Sequence, residues 1–178
     1  MKKNEIEVRS FISQTEYRRL SNFFNKKAKF LADIKEETIY FKGSKGDLRL
    51  RKNQDKTLII FKKGKIHDDF REELEIELNK RYFQKFRNLF KNLGLKEEIQ
   101  WFRKRKIYQL SSIKVFLDDT KGYGLIIELE KFSDRGDQKN VYNQLKKKLK
   151  DLGVKITPKS IFDKKFNYYK KNWRKILK

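Results

Sequence analysis

In Phe70-Arg-Glu-Glu-Leu-Glu-Ile-Glu-Leu78 the side chains alternate. Arg71, Glu73, Glu75 and Glu77 point one way and Leu74, Ile76 and Leu78 the other, the period of two that marks a half-buried strand. Such a strand is expected to set its Leu, Ile and Leu on the core and its charges in water. The pattern recurs: Glu5, Glu7 and Arg9 alternate with Ile6 and Val8, and Glu128 and Glu130 with Ile127 and Leu129. Basic versions stand between them, with Arg49 and Arg51 around Leu50, and Arg103 and Arg105 ahead of Tyr108. An open antiparallel sheet with one wet face accounts for any single strand of this kind. It accounts less well for like charges two apart on strand after strand, since clustered carboxylates repel unless a cation lies between them. In a chain of net charge +23, this is a sorted lining.

With 178 residues the chain is most simply one domain, 1–178, large enough for a real core. It has no cysteine, which excludes disulfides, thiolate metal sites and cysteine nucleophiles. His67 is the only histidine, in a lysine- and aspartate-rich loop, and it argues against a histidine zinc site or a Ser-His-Asp triad. Any metal therefore sits on carboxylates, and oxygen ligands favour Mg²⁺, Mn²⁺ or Ca²⁺. No apolar run follows the first residues and no stretch is long enough to span a bilayer, so a soluble, cytoplasmic protein with no membrane partner is expected. The lysine excess is compatible with a nucleic-acid partner. The lysines are dispersed rather than clustered, however, which favours ordinary solvated helix faces.

Periodicity predicts a first strand over 5–12, and then a helix that starts at a Ser13/Glu16 capping box and carries Tyr17, Leu20 and Phe24. One or two strands are expected over 30–41, a turn over 43–46, and strands around Arg49 and Arg51, over 57–62 and over 71–78. Phe83, Phe86, Phe90 and Leu93 mark a second helix stopped at Gly94. Three more strands follow over 98–110, 113–117 and 125–132. A third helix carries Val141, Leu145, Leu149 and Leu152. A last helix, 158–177, begins at Pro158 and presents Phe162, Phe166, Tyr169 and Trp173, with Trp101 and Trp173 expected to pack helix against sheet. The fold class is α+β with about eight antiparallel strands. If the sheet closes into a barrel, apolar residues face outward under the helices and the charges line the interior. Bare ions buried that way cost several kcal/mol each unless paired, hydrated or bound to a ligand. A lumen of both signs therefore suits a highly charged guest, and a polyphosphate held through a divalent metal satisfies both signs at once.

The motif order resembles the CYTH family, the triphosphate tunnel metalloenzymes that include class IV adenylate cyclases and thiamine triphosphatases. Glu5-Ile-Glu7-Val-Arg9 stands where the family has Glu-x-Glu-x-Lys. Leu48-Arg49-Leu50-Arg51 matches the paired-arginine strand, Lys62 the lysine of the next, and Arg71-Glu-Glu73-Leu-Glu75 the Arg-x-Glu-x-Glu motif. Arg103-Lys-Arg105-Lys-Ile-Tyr108 matches Lys-x-Arg-x-x-Tyr. Leu117-Asp118, Gly122-Tyr-Gly124 and Glu128-Leu-Glu130 match the closing segment. Each motif alone is common; six in order are specific.

The resemblance implies a closed eight-stranded antiparallel tunnel, with helices outside, that binds a triphosphate with Mg²⁺ or Mn²⁺. It implies Glu5, Glu7, Asp118, Glu128 and Glu130 as metal ligands supported by Glu73 and Glu75. Arg49, Arg51, Lys62, Arg71, Arg103 and Arg105 become the phosphate clamp, and Glu5, Glu7 and Arg9 the catalytic set. The expected activity is hydrolysis of tripolyphosphate or of a nucleoside or organic triphosphate. A class IV cyclase making cyclic AMP from ATP and a non-catalytic binder of polyphosphate or RNA 5′-triphosphate are the alternatives, in a monomer or homodimer. Two positions depart from the pattern. Arg9 replaces a lysine, and arginine keeps its proton. Thr38 stands where an aspartate is expected ahead of Tyr40-Phe41. Arg71 with Glu73 also admits a plain cross-strand ion-pair reading.

Overall fold

The computed structural model describes residues 4–43, 46–63, 73–134 and 136–178. Among them run the strands β1 (Asn4–Ile12), β2 (Lys29–Lys42), β3 (Asp47–Lys52), β4 (Lys56–Lys62), β5 (Glu73–Asn79), β6 (Lys96–Leu110), β7 (Ile113–Thr120) and β8 (Gly124–Ser133). The helices are α1 (Gln14–Lys27), α2 (Phe83–Asn92), α3 (Gln138–Asp151) and α4 (Lys159–Ile176). The stretch expected to be one or two strands over 30–41 is one long strand, β2. Arg71 and His67 lie outside the described residues, so Arg71's place in the clamp does too. No described helix is long and apolar enough to cross a membrane.

The strands form one hydrogen-bonded sheet in the order β1-β8-β7-β6-β2-β3-β4-β5. The expectation of eight antiparallel strands with helices is met; hydrogen bonding among the described residues does not close the sheet into a barrel. Among the described residues the ladder ends at β1 and at β5, with no hydrogen-bonded pairing between them. Closure requires backbone pairing of the two terminal strands, and β5 pairs with β4 alone in that order.

The described chain divides into two compact units, one of residues 1–33, 105–119 and 124–162, the other of 34–104, 120–123 and 163–178. In the first, β1 pairs with β8 over its full length, Val8 opposite Leu129. Ile6, Val8, Ile127 and Leu129 pack beneath Leu20 and Phe24 of α1 and Val141, Leu145 and Leu149 of α3, joined by Tyr108, Val115 and Leu117. The predicted capping box starts α1: Ser13 Oγ accepts from the Glu16 N–H at 3.2 Å and Glu16 accepts from the Ser13 N–H at 2.7 Å. With one face of β1 and β8 sealed by these helices, period two sends Glu7, Arg9, Glu128 and Glu130 to the other.

In the second unit Ile39, Phe41 and Leu50 pack on Phe83 and Phe90 of α2. Tyr40 and Trp101 meet edge to face at 5.5 Å, and Trp101 lies 5.3 Å from Tyr169 of α4. α4 is fixed to β6 by two hydrogen bonds: Trp173 Nε1 donates to the Glu98 carbonyl at 2.8 Å, and Tyr169 OH donates to that of Gln100 at 3.1 Å. Both tryptophans therefore pack helix on sheet, as expected. The β7–β8 turn needs Gly122, whose φ of 71° is left-handed and whose absent Cβ would collide with Ile176.

β5 departs from expectation. Leu74 is 60% exposed and Ile76 46% exposed, so the sharpest alternation in the sequence does not seat its apolar side in the core. The reason lies in its position: α2 covers β3 through Leu50, while β5 ends the sheet.

Candidate functional site

In the first unit the register of β1 and β8 sets Glu7 opposite Glu130 and Arg9 opposite Glu128. Glu5, exposed, stands one step further along the same face, opposite Phe132. Arg9 lies 3.7 Å from the Glu7 carboxylate and stacks over Phe162 at 5.1 Å. Arg105 of β6 is heavily engaged. Its Nε and Nη2 donate to both oxygens of Asp118 at 2.7 and 2.6 Å, Nη2 also reaches Glu128 at 3.3 Å, and its guanidinium lies 4.2 Å over Phe116. Burial, reinforced by Glu7, pushes the Glu128 carboxyl above the usual carboxylate range, although Arg105 pulls the other way. Burial raises Glu130 as well; Lys114, at 3.9 Å, opposes the shift and Glu128 adds to it.

These carboxylates suit a divalent cation in donor chemistry. They are hard oxygens, and two of them hold protons more tightly than normal because they are buried beside other anions, a cost that a cation relieves. The fit is one of chemistry and pairwise register only. Among the described residues no three or more Asp, Glu or His side chains are gathered closely enough to hold a metal ion.

In the second unit Arg49 and Arg51 of β3, Lys62 of β4 and Arg103 of β6 share one face with Tyr40 and Thr38 of β2. Thr38 lies opposite Arg51 and Tyr40 opposite Arg49. Arg49 is buried, its guanidinium 4.5 Å over the Tyr40 ring and its fork closed on Asp47, with Nε donating at 2.9 Å. Burial alone would lower its pKa; Tyr40 and Asp47 outweigh this and raise it. Arg51 Nε donates to Thr38 Oγ1 at 3.3 Å, and its Nη1 lies 3.8 Å from Glu36. Arg103 donates to the same Glu36 through Nε at 2.8 Å. Lys62 pairs with Glu73, directly opposite it on β5, at 2.5 Å. Glu75 lies opposite Ile60 and is exposed.

The structure thus brings Glu7, Arg9, Arg105, Asp118, Glu128 and Glu130 together in one unit. It brings Arg49, Arg51, Lys62, Glu73 and Arg103 to one face in the other. Three residues of this second face escape sequence reasoning: Glu36, Asp47 and Tyr40. Each sits an even number of residues from a recognised one, Asp47 two before Arg49 and Glu36 two before Thr38. Strand periodicity alone could have put them there.

The CYTH domain family model matches residues 3–159. A protein of Methanocaldococcus jannaschii, provisionally named an adenylate cyclase, is 33% identical over 136 residues, covering 71% of this chain and 77% of its own. Among solved structures, a conserved hypothetical protein of Pyrococcus furiosus superposes with a TM-score of 0.71 at 25% identity, covering 85% of this chain and 91% of its own. A Hippeastrum adenylyl cyclase candidate, HpAC1, described as having a dominant triphosphatase activity, superposes at 0.63 with 18% identity, over 86% of this chain and 89% of its own.

Proposed function

We propose, from the premise that this chain belongs to the CYTH domain family, that it is a divalent-metal-dependent triphosphatase acting on tripolyphosphate or a nucleoside or organic triphosphate, within the closed charged tunnel that the family resemblance implies. The observation that carries this reading is the sorting of charge. Glu7, Arg9, Glu128 and Glu130 share one strand face opposite a helix-covered core, Arg49 and Arg51 flank buried Leu50, and Lys62 and Arg103 each pair with a carboxylate of a neighbouring strand. Glu5, Glu7, Glu128 and Glu130, with Asp118, would hold Mg²⁺ or Mn²⁺, and Glu73 and Glu75 would support them. A bound cation of that type neutralises phosphate charge and makes a coordinated water more acidic. Arg51, Arg103 and Lys62 orient the phosphate oxygens, and Arg105 and Arg9 add positive charge beside the carboxylates. Hydrolysis joins the water oxygen to the terminal phosphorus as the bridging P–O bond breaks. Charge builds on the departing oxygens, where guanidinium groups stabilise it.

Incubation with tripolyphosphate, ATP and thiamine triphosphate, with Mg²⁺ or Mn²⁺, tests the reading: phosphate release is expected, and it should stop in excess chelator. Undiminished phosphate release in EDTA would overturn it. The name of the Methanocaldococcus relative favours one second reading, cyclisation of ATP. It is marked in the same assay by cyclic AMP with pyrophosphate. Tight binding without turnover would identify a binder instead.

A further inference from the structure

Glu36 has no counterpart among the motif residues. Its side chain is 4% exposed, yet it touches two cations from different strands, Arg51 of β3 and Arg103 of β6. Those two arginines are each 17% exposed, so they keep an edge toward solvent while their shared anion is buried. Thr38, where an aspartate was expected, is two residues on and on the same face of β2. Its hydroxyl takes a hydrogen bond from Arg51 Nε. The carboxylate thus lies one strand step from its expected place, where its two oxygens reach both guanidinium groups.

We propose that Glu36 is a positioning residue for phosphate recognition. It holds Arg51 and Arg103 as a preset pair, and as the anion already beside them it weakens their grip on phosphate so that product can leave. This rests on the triphosphate reading above. An arginine held by a buried carboxylate keeps its remaining N–H groups in fixed directions and loses little freedom when a phosphate arrives. A carboxylate between two guanidinium groups also cancels one of their two charges. Its removal strengthens the attraction for any anion while loosening the geometry that catalysis needs.

The two effects have opposite signs on binding and turnover, which separates positioning from mere structural support. In Glu36→Gln, the dissociation constant for inorganic tripolyphosphate, measured by calorimetry, should tighten by about threefold. Its kcat for phosphate release should fall by about tenfold or more. The double variant Glu36→Gln/Thr38→Asp returns a carboxylate to Arg51 and should recover much of the lost kcat. Unchanged kcat and affinity in a folded Glu36→Gln protein would overturn the proposal, and so would a loss of both in step. If neither variant folds, Glu36 is a structural ion-pair residue and the proposal fails. If the native protein neither binds nor hydrolyses tripolyphosphate, ATP or thiamine triphosphate, the functional reading fails and takes this inference with it. If the native protein does both and Glu36→Gln is indistinguishable from it, the inference alone fails.

Discussion

Arg105 and Lys62 read alike in the sequence, as cations of a phosphate clamp, yet their surroundings give them different weights. The Arg105 fork closes on Asp118, whose side chain is 3% exposed, whereas Lys62 meets a Glu73 side chain that is 27% exposed. Removing one partner of a buried pair strands the other charge away from water. Arg105→Ala is therefore expected to cost about 3–5 kcal/mol of unfolding free energy. Lys62→Ala should cost less than about 1 kcal/mol, the range for a solvent-screened pair. Urea titration of the ligand-free protein distinguishes the two, and equal losses would contradict the burial argument. Glu128 supplies a pH test. Because its carboxyl is raised in the folded chain by burial and then by Glu7, the folded protein keeps a proton that the unfolded chain has released. Stability therefore falls as pH rises from the ordinary value of 4.5 through the raised one. Glu128→Gln should melt higher than the native protein at neutral pH, with the gain shrinking below pH 4.5, where the Glu128 carboxyl is protonated in the folded and the unfolded chain alike. Melting curves at the two pH values check this. The charged residues themselves were legible one by one. Their partners were not: that Glu36 reaches both Arg51 and Arg103 depends on which strands lie side by side, and no spacing along the chain encodes that.

Among the secondary-structure elements, α1, α2 and α3 could be read because their apolar stripes, and the capping box of α1, are local properties. β5 was read half correctly. Alternation reports that one side of a strand is apolar, but not that anything covers that side. Leu74 and Ile76 are exposed because α2 packs on Ile39, Phe41 and Leu50 instead. Leu74→Lys and Ile76→Lys are expected to change stability by no more than about 0.5 kcal/mol, as at other surface positions. Leu50→Ala, at a site 0% exposed, should cost about 2–5 kcal/mol. Chemical denaturation of the three variants tests the contrast, and a large loss at Leu74 would mean that β5 is covered in solution. The register of β1 on β8 was equally beyond local reading, although it fixes which acid faces which: Glu7 meets Glu130 only because Val8 meets Leu129.

For the whole molecule, a net charge of +23 favours any polyanion, so affinity alone identifies little. Specific occupation of the lining should also stabilise the fold. Tripolyphosphate with Mg²⁺ at 100 times its dissociation constant is expected to add about 2.7 kcal/mol to the unfolding free energy. An equally charged polyanion that only coats the surface should lose its effect once salt shortens the screening length. Thermal melts with and without added salt separate the two, and stabilisation that disappears with salt would count against a built site. The pairing of β1 with β8 has another consequence, in time rather than energy. β1 leaves the ribosome more than a hundred residues before its partner, for it lies against Ile126, Ile127 and Leu129 of β8. Ser10 is bonded later still, to the Lys155 carbonyl at 2.6 Å and to Thr157 at 2.8 Å. At roughly 5–20 residues per second, β1 waits on the order of ten seconds for its partner. Throughout that interval Ile6 and Val8 have α1 near them but not β8 or α3, so nascent chains need shielding before β8 and the segment carrying Thr157 emerge.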